Sequence, residues 1–309
     1  MSLIISSPVV SVLIVNWNTR KLLEECLNSI FETAVSVSFE VIVVDNASSD
    51  GSAQMVTEKF PRVKLLRNQE NFGFARGNNQ AAELASGAFF LLLNSDACLT
   101  VGALEKLLAL AQKSPNAAVV GARLINSDGS FQFSYADFPN LWREFLILST
   151  IGRRLVRRSY PSHGAEEERG PQLVDYVNGA CMLIRQKVYL EAGGLPDQYF
   201  MYAEEVDFCL TVKQASGQVW YHPEAIVLHH GAGSSHNRQT AREGDMYQSR
   251  VRLMRKYQGN LAAELLKVEI LVLTSPKVIW HGLLRKFSNG KYGRPVISLQ
   301  QLAARLREV

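Results

Sequence analysis

The residues of this chain best suited to chemistry are carboxylates placed where apolar runs end. Asp96 closes Leu91-Leu92-Leu93-Asn94-Ser95, and Asp45 closes Phe39 to Val44. In an open α/β sheet, ligands bind beyond the carboxyl ends of the strands, so a carboxylate there faces a cleft; an Asn-Ser-Asp tip is also an ordinary polar turn. Glu204, Glu205 and Asp207 form a second acidic group, expected at a helix start. Three carboxylates in four positions repel unless a helix N-terminus, cations or a shared ligand offsets them, the alternative being a solvated acidic first turn. His229 ends another apolar segment and is followed by His230-Gly231-Ala232-Gly233. It is a structural residue or a ligand, and the adjacent glycines let backbone come close to a bound group.

The elements that must hold these groups alternate along the first half of the chain. Val9 to Val15, Phe39 to Val44, Val63 to Arg67 and Ala88 to Leu93 read as short strands ending in polar tips. Between the first two, Leu22, Leu23, Cys26, Leu27, Ile30 and Phe31 recur at the helical period, with Thr19 placed to cap. The loop Asn71-Phe72-Gly73-Phe74-Ala75-Arg76-Gly77 leads into another helix. Strands alternating with helices predict a mostly parallel sheet covered on both faces, and right-handed crossovers bring the polar tips to one edge. Asp45 and Asp96 then share a cleft. The layout suits a nucleotide, yet GxxxxGK[ST] is absent and Gly73 to Gly77 is not GxGxxG. A divalent cation on Asp96 is the candidate holder of a diphosphate, since such an ion needs only one or two protein carboxylates.

Further strands are expected at Val119 to Leu124 and Val219 to Leu228, and order also at Val174 to Arg185, whereas Phe131 to Arg143 is aromatic and unassigned. From about residue 153 to 172 the chain carries Arg153, Arg154, Arg157 and Arg158, then Pro161, Gly164 and Glu166-Glu167-Glu168, without periodicity. It reads as a mobile insertion, an active-site lid or plain disorder.

A chain of 309 residues with 47% apolar and 20% charged residues is that of an ordinary globular protein, which excludes collagen-like and wholly disordered classes. The four cysteines show no CxxC spacing, which argues against a zinc site or a disulfide framework. No secretory signal or spanning apolar run is recognised, so a cytoplasmic location is expected.

Six separated motifs make the chain similar to the inverting glycosyltransferases of family 2, in their rhamnosyltransferase-like branch. They are Val15-Asn16-Trp17-Asn18, Val44-Asp45-Asn46-Ala47-Ser48-Ser49-Asp50-Gly51-Ser52, Asn71 to Asn79, Leu93-Asn94-Ser95-Asp96, Tyr202-Ala203-Glu204-Glu205-Val206-Asp207 and His229 to Ser234. The resemblance covers about residues 9 to 255. It implies a glycosyltransferase-A, Rossmann-like fold: an α/β, mixed and mostly parallel sheet flanked by helices, with a C-terminal helical extension. It further implies that Asp45 accepts from a pyrimidine base, with Asn16, Asn18 and Ser48 near base and ribose and Arg76 and Asn79 against the nucleotide. Asn94-Ser95-Asp96 occupies the DxD position, Asp96 and His229 being the ligands of Mg2+ or Mn2+. Glu205 is the implied general base, with Glu204 or Asp207 as substitutes, while Asn178, Gly179, Ala180 and Phe200 shape the sugar and acceptor pocket. Two residues depart from the family pattern: Asn94 replaces an Asp, and Glu205 replaces an Asp as base.

The expected domains are a catalytic domain over 1–250 and a basic amphipathic tail over 251–309. The tail mixes Val251, Leu253, Leu261, Leu265, Leu266 and Ile270 with Arg252, Arg255, Lys256, Lys267 and Lys277. It suits peripheral contact with the inner face of the cell membrane, core packing, or a homodimer. The expected function is metal-dependent transfer of a sugar, rhamnose by branch resemblance, from a dTDP- or UDP-sugar to a saccharide or polyprenyl-linked acceptor in envelope polysaccharide synthesis. The alternative is a catalytically impaired nucleotide-sugar or glycan-binding relative; no nucleic-acid partner is expected.

Overall fold

The computed structural model of the chain describes residues 7–34, 36–149, 170–231, 239–287 and 297–309. They fall into two compact units, one of Met1–Asp137, Ser162–Phe200 and Glu204–Ser234, the other of Phe138–Pro161, Met201–Ala203 and Ser235–Val309. Nearly all of the expected insertion at 153–172, with its arginine cluster, lies outside the described residues, as do Ala232 to Ser234.

The elements in chain order are β1 (Val10–Asn16), α1 (Arg20–Thr33), β2 (Phe39–Asp45), α2 (Ser52–Lys59), β3 (Lys64–Arg67), α3 (Gly73–Glu83), β4 (Phe89–Leu93), β5 (Ala97–Leu99), α4 (Ala103–Lys113), β6 (Ala117–Ile125), β7 (Tyr135–Ala136) and α5 (Leu141–Leu148). There follow β8 (Gln172–Leu173), β9 (Tyr176–Val177), β10 (Cys181–Arg185), α6 (Gln186–Glu191), α7 (Glu204–Gln214), β11 (Gln218–His229), α8 (Gln239–Phe287) and α9 (Leu299–Arg307).

In the first unit nine strands form one sheet in the order β3-β2-β1-β4-β10-β6-β11-β5, with β8 also paired to β11, and β7 and β9 form a separate antiparallel pair. Strands β3, β2, β1 and β4 run parallel, β10 is antiparallel to both β4 and β6, and β11 lies parallel to β6. The parallel strands are continuous apolar runs because helices cover both faces. On one face Val10, Val12, Ile14, Leu91 and Leu93 pack with Leu23, Cys26, Leu27 and Ile30 of α1 and Leu104 and Leu107 of α4. Phe90, pointing the other way, meets Tyr189, which meets Phe208 of α7, at ring separations of 5.4 and 5.6 Å.

Register delivers the chemistry to one edge. Asn16 is the partner of Asp45, so both strand tips end together, and His229 pairs with Ala97, the residue after Asp96. Thr19 does occupy the N-cap position of α1, but its side chain makes no cap hydrogen bond. The hydroxyl instead donates to Asn16 Oδ1 at 2.6 Å and lies 2.9 Å from Ser95 Oγ. Two better-placed side-chain partners outcompete the helix end.

The second unit is helical. Gly259, at φ 86 and ψ 175, breaks α8 into two arms. Val251, Met254, Ala263, Leu266 and Ile270 pack with Ile297 and with Leu302 and Leu306 of α9, and Leu141 and Leu148 of α5 lie against this cluster. Glu144, 3% exposed, is held by Arg250 at 2.8 Å. The boundary expected after residue 250 falls inside α8. Beyond Gly259 a second apolar face, with Leu261, Leu265, Val268, Val272, Ile279 and Trp280, is exposed.

Candidate active site

Asp45 is 3% exposed at the tip of β2. Its Oδ1 accepts from Asn16 Nδ2 at 2.9 Å and its Oδ2 from the backbone N–H of Ser48 at 2.9 Å. An ionised carboxylate has about four acceptor positions, so each oxygen keeps capacity for a ligand N–H. Asn16 has both N–H groups committed, since Nδ2 also donates to Ser48 Oγ at 3.1 Å, while Oδ1 takes the Thr19 hydroxyl, and its amide so holds the Asp45 carboxylate in place. Asn18 is joined to the same loop, its N–H on Ser48 Oγ and its Oδ1 on the N–H of Ser49. Asn18 and Ala47 both hold left-handed backbone, φ 53 and 59. Such strain in residues with a Cβ costs of order 1–3 kcal/mol each and gathers at functional sites.

Thr19 passes the connection to Ser95, hence to Asn94 and Asp96. Asp96 is 7% exposed. His229 Nε2 lies 3.2 Å from Asp96 Oδ1 and 3.2 Å from Asn94 Nδ2, and the His230 N–H donates to the Asp96 carbonyl at 3.0 Å. Carboxylate oxygen and imidazole nitrogen converging at that separation suit two adjacent corners of an octahedron, roughly 3 Å for bonds of about 2.1 Å. Among the described residues no group of three His, Cys, Asp or Glu is arranged to hold a metal ion, so Asp96 and His229 can hold a divalent ion only with ligand oxygens or water completing the set. Behind His229 stands Gln132, Oε1 2.5 Å from Nδ1, in the stretch left unassigned from sequence.

Asn178, Gly179 and Ala180 join this centre to the acidic helix start. The Asn94 N–H donates to the Ala180 carbonyl at 3.0 Å. Asn178 Oδ1 accepts from the Ala180 N–H at 2.9 Å, shaping the turn. Gly179 backs onto Glu205: a Cβ there would sit 3.5 Å from Glu205 Cβ and 3.7 Å from the Phe74 ring. Phe74 in turn donates its N–H to the Phe200 carbonyl at 3.1 Å.

The three carboxylates at the start of α7 have different surroundings. Asp207, 1% exposed, accepts at Oδ2 from the Tyr199 hydroxyl at 2.9 Å and from Gln198 at 3.3 Å. Glu204 is 5% exposed; burial first, and the Glu205 charge second, push its carboxyl well above the usual range. Burial thus favours the protonated form at Glu204. Glu205 is partly buried, the least enclosed of the three, with its Oε2 turned inward. Tyr202 and Ala203, the residues just before, take φ 72 and 73.

Asn79 and Arg76, the two residues expected against a nucleotide, have different surroundings. Asn79 Oδ1 accepts from the Tyr189 hydroxyl at 2.6 Å and the Leu195 N–H at 2.9 Å, while Nδ2 donates to the Leu195 carbonyl at 2.8 Å. Its amide clamps the turn after α6, with Oδ1 filled and one N–H of Nδ2 still available. Arg76 is exposed, its guanidinium 4.0 Å above the Phe72 ring.

Comparison with known proteins gives a family and a fold. A family model described as glycosyl transferase family 2 matches residues 11–192, more than half of the chain. An N-acetylglucosaminyl-diphospho-decaprenol L-rhamnosyltransferase of Mycobacterium tuberculosis is 29% identical over 240 residues, covering 74% of this chain and 78% of that protein. A structure of GalNAc-T7 with UDP, GalNAc and Mn2+ superposes with a TM-score of 0.60 at 16% identity, covering 81% of this chain and 48% of the other, so this chain spans about half of that protein. A mannosyltransferase of Pyrobaculum calidifontis in complex with GDP-Man and Mn2+ superposes with a TM-score of 0.58 at 16% identity, covering 98% and 86%. The mixed sheet flanked by helices is the fold these two structures share with this chain.

Proposed function

The chain belongs to glycosyl transferase family 2, and from that membership we propose that it transfers a hexose, rhamnose foremost, from a dTDP- or UDP-sugar with inversion at the anomeric carbon. The acceptor is a saccharide or polyprenyl-linked saccharide of envelope polysaccharide assembly. The M. tuberculosis relative, named for a decaprenol-linked substrate, supports that acceptor class. The observation that supports the proposal is the turn Gly179-Ala180, which lies against Glu205, the least enclosed carboxylate of the acidic helix start, and accepts the Asn94 N–H at its Ala180 carbonyl.

In this reading Asp45 accepts a pyrimidine N–H, with its carboxylate aimed by Asn16 and the Ser48 amide. Asp96 and His229 would hold Mg2+ or Mn2+, which supplies charge neutralisation for the departing diphosphate. Glu205 takes the proton of the acceptor hydroxyl as that oxygen attacks C1. A protonated Glu204 places no like charge beside it. One in-line attack inverts the anomeric centre.

The test is a thermal-shift and transfer panel of UDP-, dTDP- and GDP-sugars with Mg2+, Mn2+ or chelator. A pyrimidine donor that binds only the native state raises the melting temperature by mass action. Asp96→Ala is expected to remove the metal-dependent part of that shift, and Glu205→Ala to keep it while turnover falls by about 100-fold or more. A Glu205→Ala enzyme with unchanged turnover would overturn the base assignment.

For the location we propose the inner face of the membrane. No helix among the described residues is long and apolar enough to cross one. The exposed face of α8 beyond Gly259, where Trp280 is 62% and Val272 62% exposed, suits a lipid surface. Co-sedimentation with anionic vesicles that is lost in Val272→Glu supports this; a dimer in solution that ignores vesicles assigns the face to a second copy.

A further inference from the structure

We infer that Gln132 is a positioning residue for His229, fixing the imidazole as its Nδ1–H tautomer and turning a bare Nε2 toward Asp96. The inference rests on the reading of Asp96 and His229 as the metal-holding pair.

The orientation of the Gln132 amide follows from its neighbours. Nε2 is 3.2 Å from the His229 backbone carbonyl and 2.9 Å from Asn126 Oδ1. A backbone carbonyl can only accept, so the NH2 group must face it. Oε1 then faces His229 Nδ1 at 2.5 Å, and because Oε1 carries no hydrogen, the proton in that contact belongs to Nδ1. One amide thus grips the same histidine twice, at main chain and ring, and sets both the ring's rotation and its tautomer.

A neutral imidazole protonated on Nδ1 has a lone pair on Nε2. That lone pair faces Asn94 Nδ2, which can donate to it, and Asp96 Oδ1, which cannot; both are 3.2 Å away. Two acceptors pointed at one place repel until a cation lies between them. Histidines that ligate metals generally have their second nitrogen held in this way, and losing the holder typically costs about 10- to 100-fold in metal affinity. Gln132 reaches His229 from the loop after β6, with its own N–H anchored to the Leu124 carbonyl at 2.9 Å and its carbonyl taking the Ser134 hydroxyl at 2.8 Å. It is therefore seated by β6 and independent of the tip that it serves.

The experiment has two readouts. Long-range proton–nitrogen spectra of metal-free protein labelled with 15N-histidine, at mildly alkaline pH, report the tautomer, with His229→Asn identifying the signal. The wild type is expected to show His229 protonated on Nδ1 alone, Gln132→Leu a shift toward the Nε2–H form, and Gln132→Glu the wild-type pattern, since a carboxylate also accepts. Free Mn2+, counted by electron paramagnetic resonance with Mn2+ as the only added ligand, is expected to show affinity about 10- to 100-fold lower in Gln132→Leu and near wild type in Gln132→Glu. A wild-type His229 protonated on Nε2, alone or with Nδ1, overturns the inference whether or not the leucine variant folds. So does a folded Gln132→Leu whose Mn2+ affinity stays within about twofold. If the wild type binds no Mn2+, the metal reading fails, while the tautomer spectrum still decides what Gln132 does.

Discussion

Replacing Gly73 with alanine perturbs the loop that ties α3 to the strand-tip edge. Gly73 has φ +82, and an added Cβ would lie 2.3 Å from the Phe200 carbonyl oxygen. Left-handed backbone costs a residue with a Cβ about 1–2 kcal/mol. Carbon–oxygen contacts settle near 3.3–3.6 Å, so the carbonyl must also retreat by about 1 Å. That breaks the 3.1 Å hydrogen bond from the Phe74 N–H, a loss of about 0.5–1.5 kcal/mol. The expected destabilisation is therefore roughly 2–3 kcal/mol. Gly102→Ala is the control, because Gly102 has φ +78 but no atom within 4 Å of an added Cβ, and it incurs the backbone cost alone. Urea denaturation of both variants, with slopes compared, separates the two contributions. Gly73→Ala should lose about 1 kcal/mol more than Gly102→Ala and should also lower turnover, since Phe74 packs on the Gly179 joint. Equal losses in the two variants would refute the steric reasoning.

The acidic helix start gives two further predictions. Glu204 has its folded pKa raised by burial and by Glu205, so above the ordinary glutamate range the unfolded chain gives up a proton that the folded one keeps, and stability falls as pH rises. Glu204→Gln should therefore melt higher than wild type at neutral to alkaline pH, with the difference vanishing in acid where both states are protonated. Melting curves across pH check this, and a difference independent of pH would show that Glu204 is ionised in the fold. Asp207→Asn weakens the acceptor of Tyr199 and Gln198 and should cost about 1–2 kcal/mol of stability while leaving kcat within a few-fold. A kcat loss of about 100-fold or more, at preserved folding, would make Asp207 the base instead.

The strand tips were legible in the sequence because a parallel sheet leaves an unmistakable pattern of apolar runs stopping at polar residues. Right-handed crossovers then put Asp45 and Asp96 on one edge with no further information. Residues whose role depends on a distant partner were not legible. Gln132 sits in an aperiodic aromatic stretch and meets His229 across 97 positions. Asn79 carries a family signature but is committed to Leu195, 116 positions away. Thr19 has the type and place of a cap, and only the fold brings Ser95 near enough to divert it. The boundary expected after residue 250 falls within the first arm of α8, whose helical path runs unbroken to Gly259.

The position of β10 carries a consequence for how the protein is made. The sheet consists of two blocks, β3-β2-β1-β4 and β6-β11-β5, and only β10 lies between them. The first block is complete once Leu93 has been synthesised, but Cys181–Arg185 emerges roughly 90 residues later, about 4–18 s at ordinary translation rates. Throughout that interval the Phe-Phe-Leu-Leu-Leu strand β4 presents an open apolar edge, the kind of surface that pairs with the wrong chain. Pulse-labelled nascent chains stopped before Cys181 should bind chaperones, and those extended past Arg185 should be released.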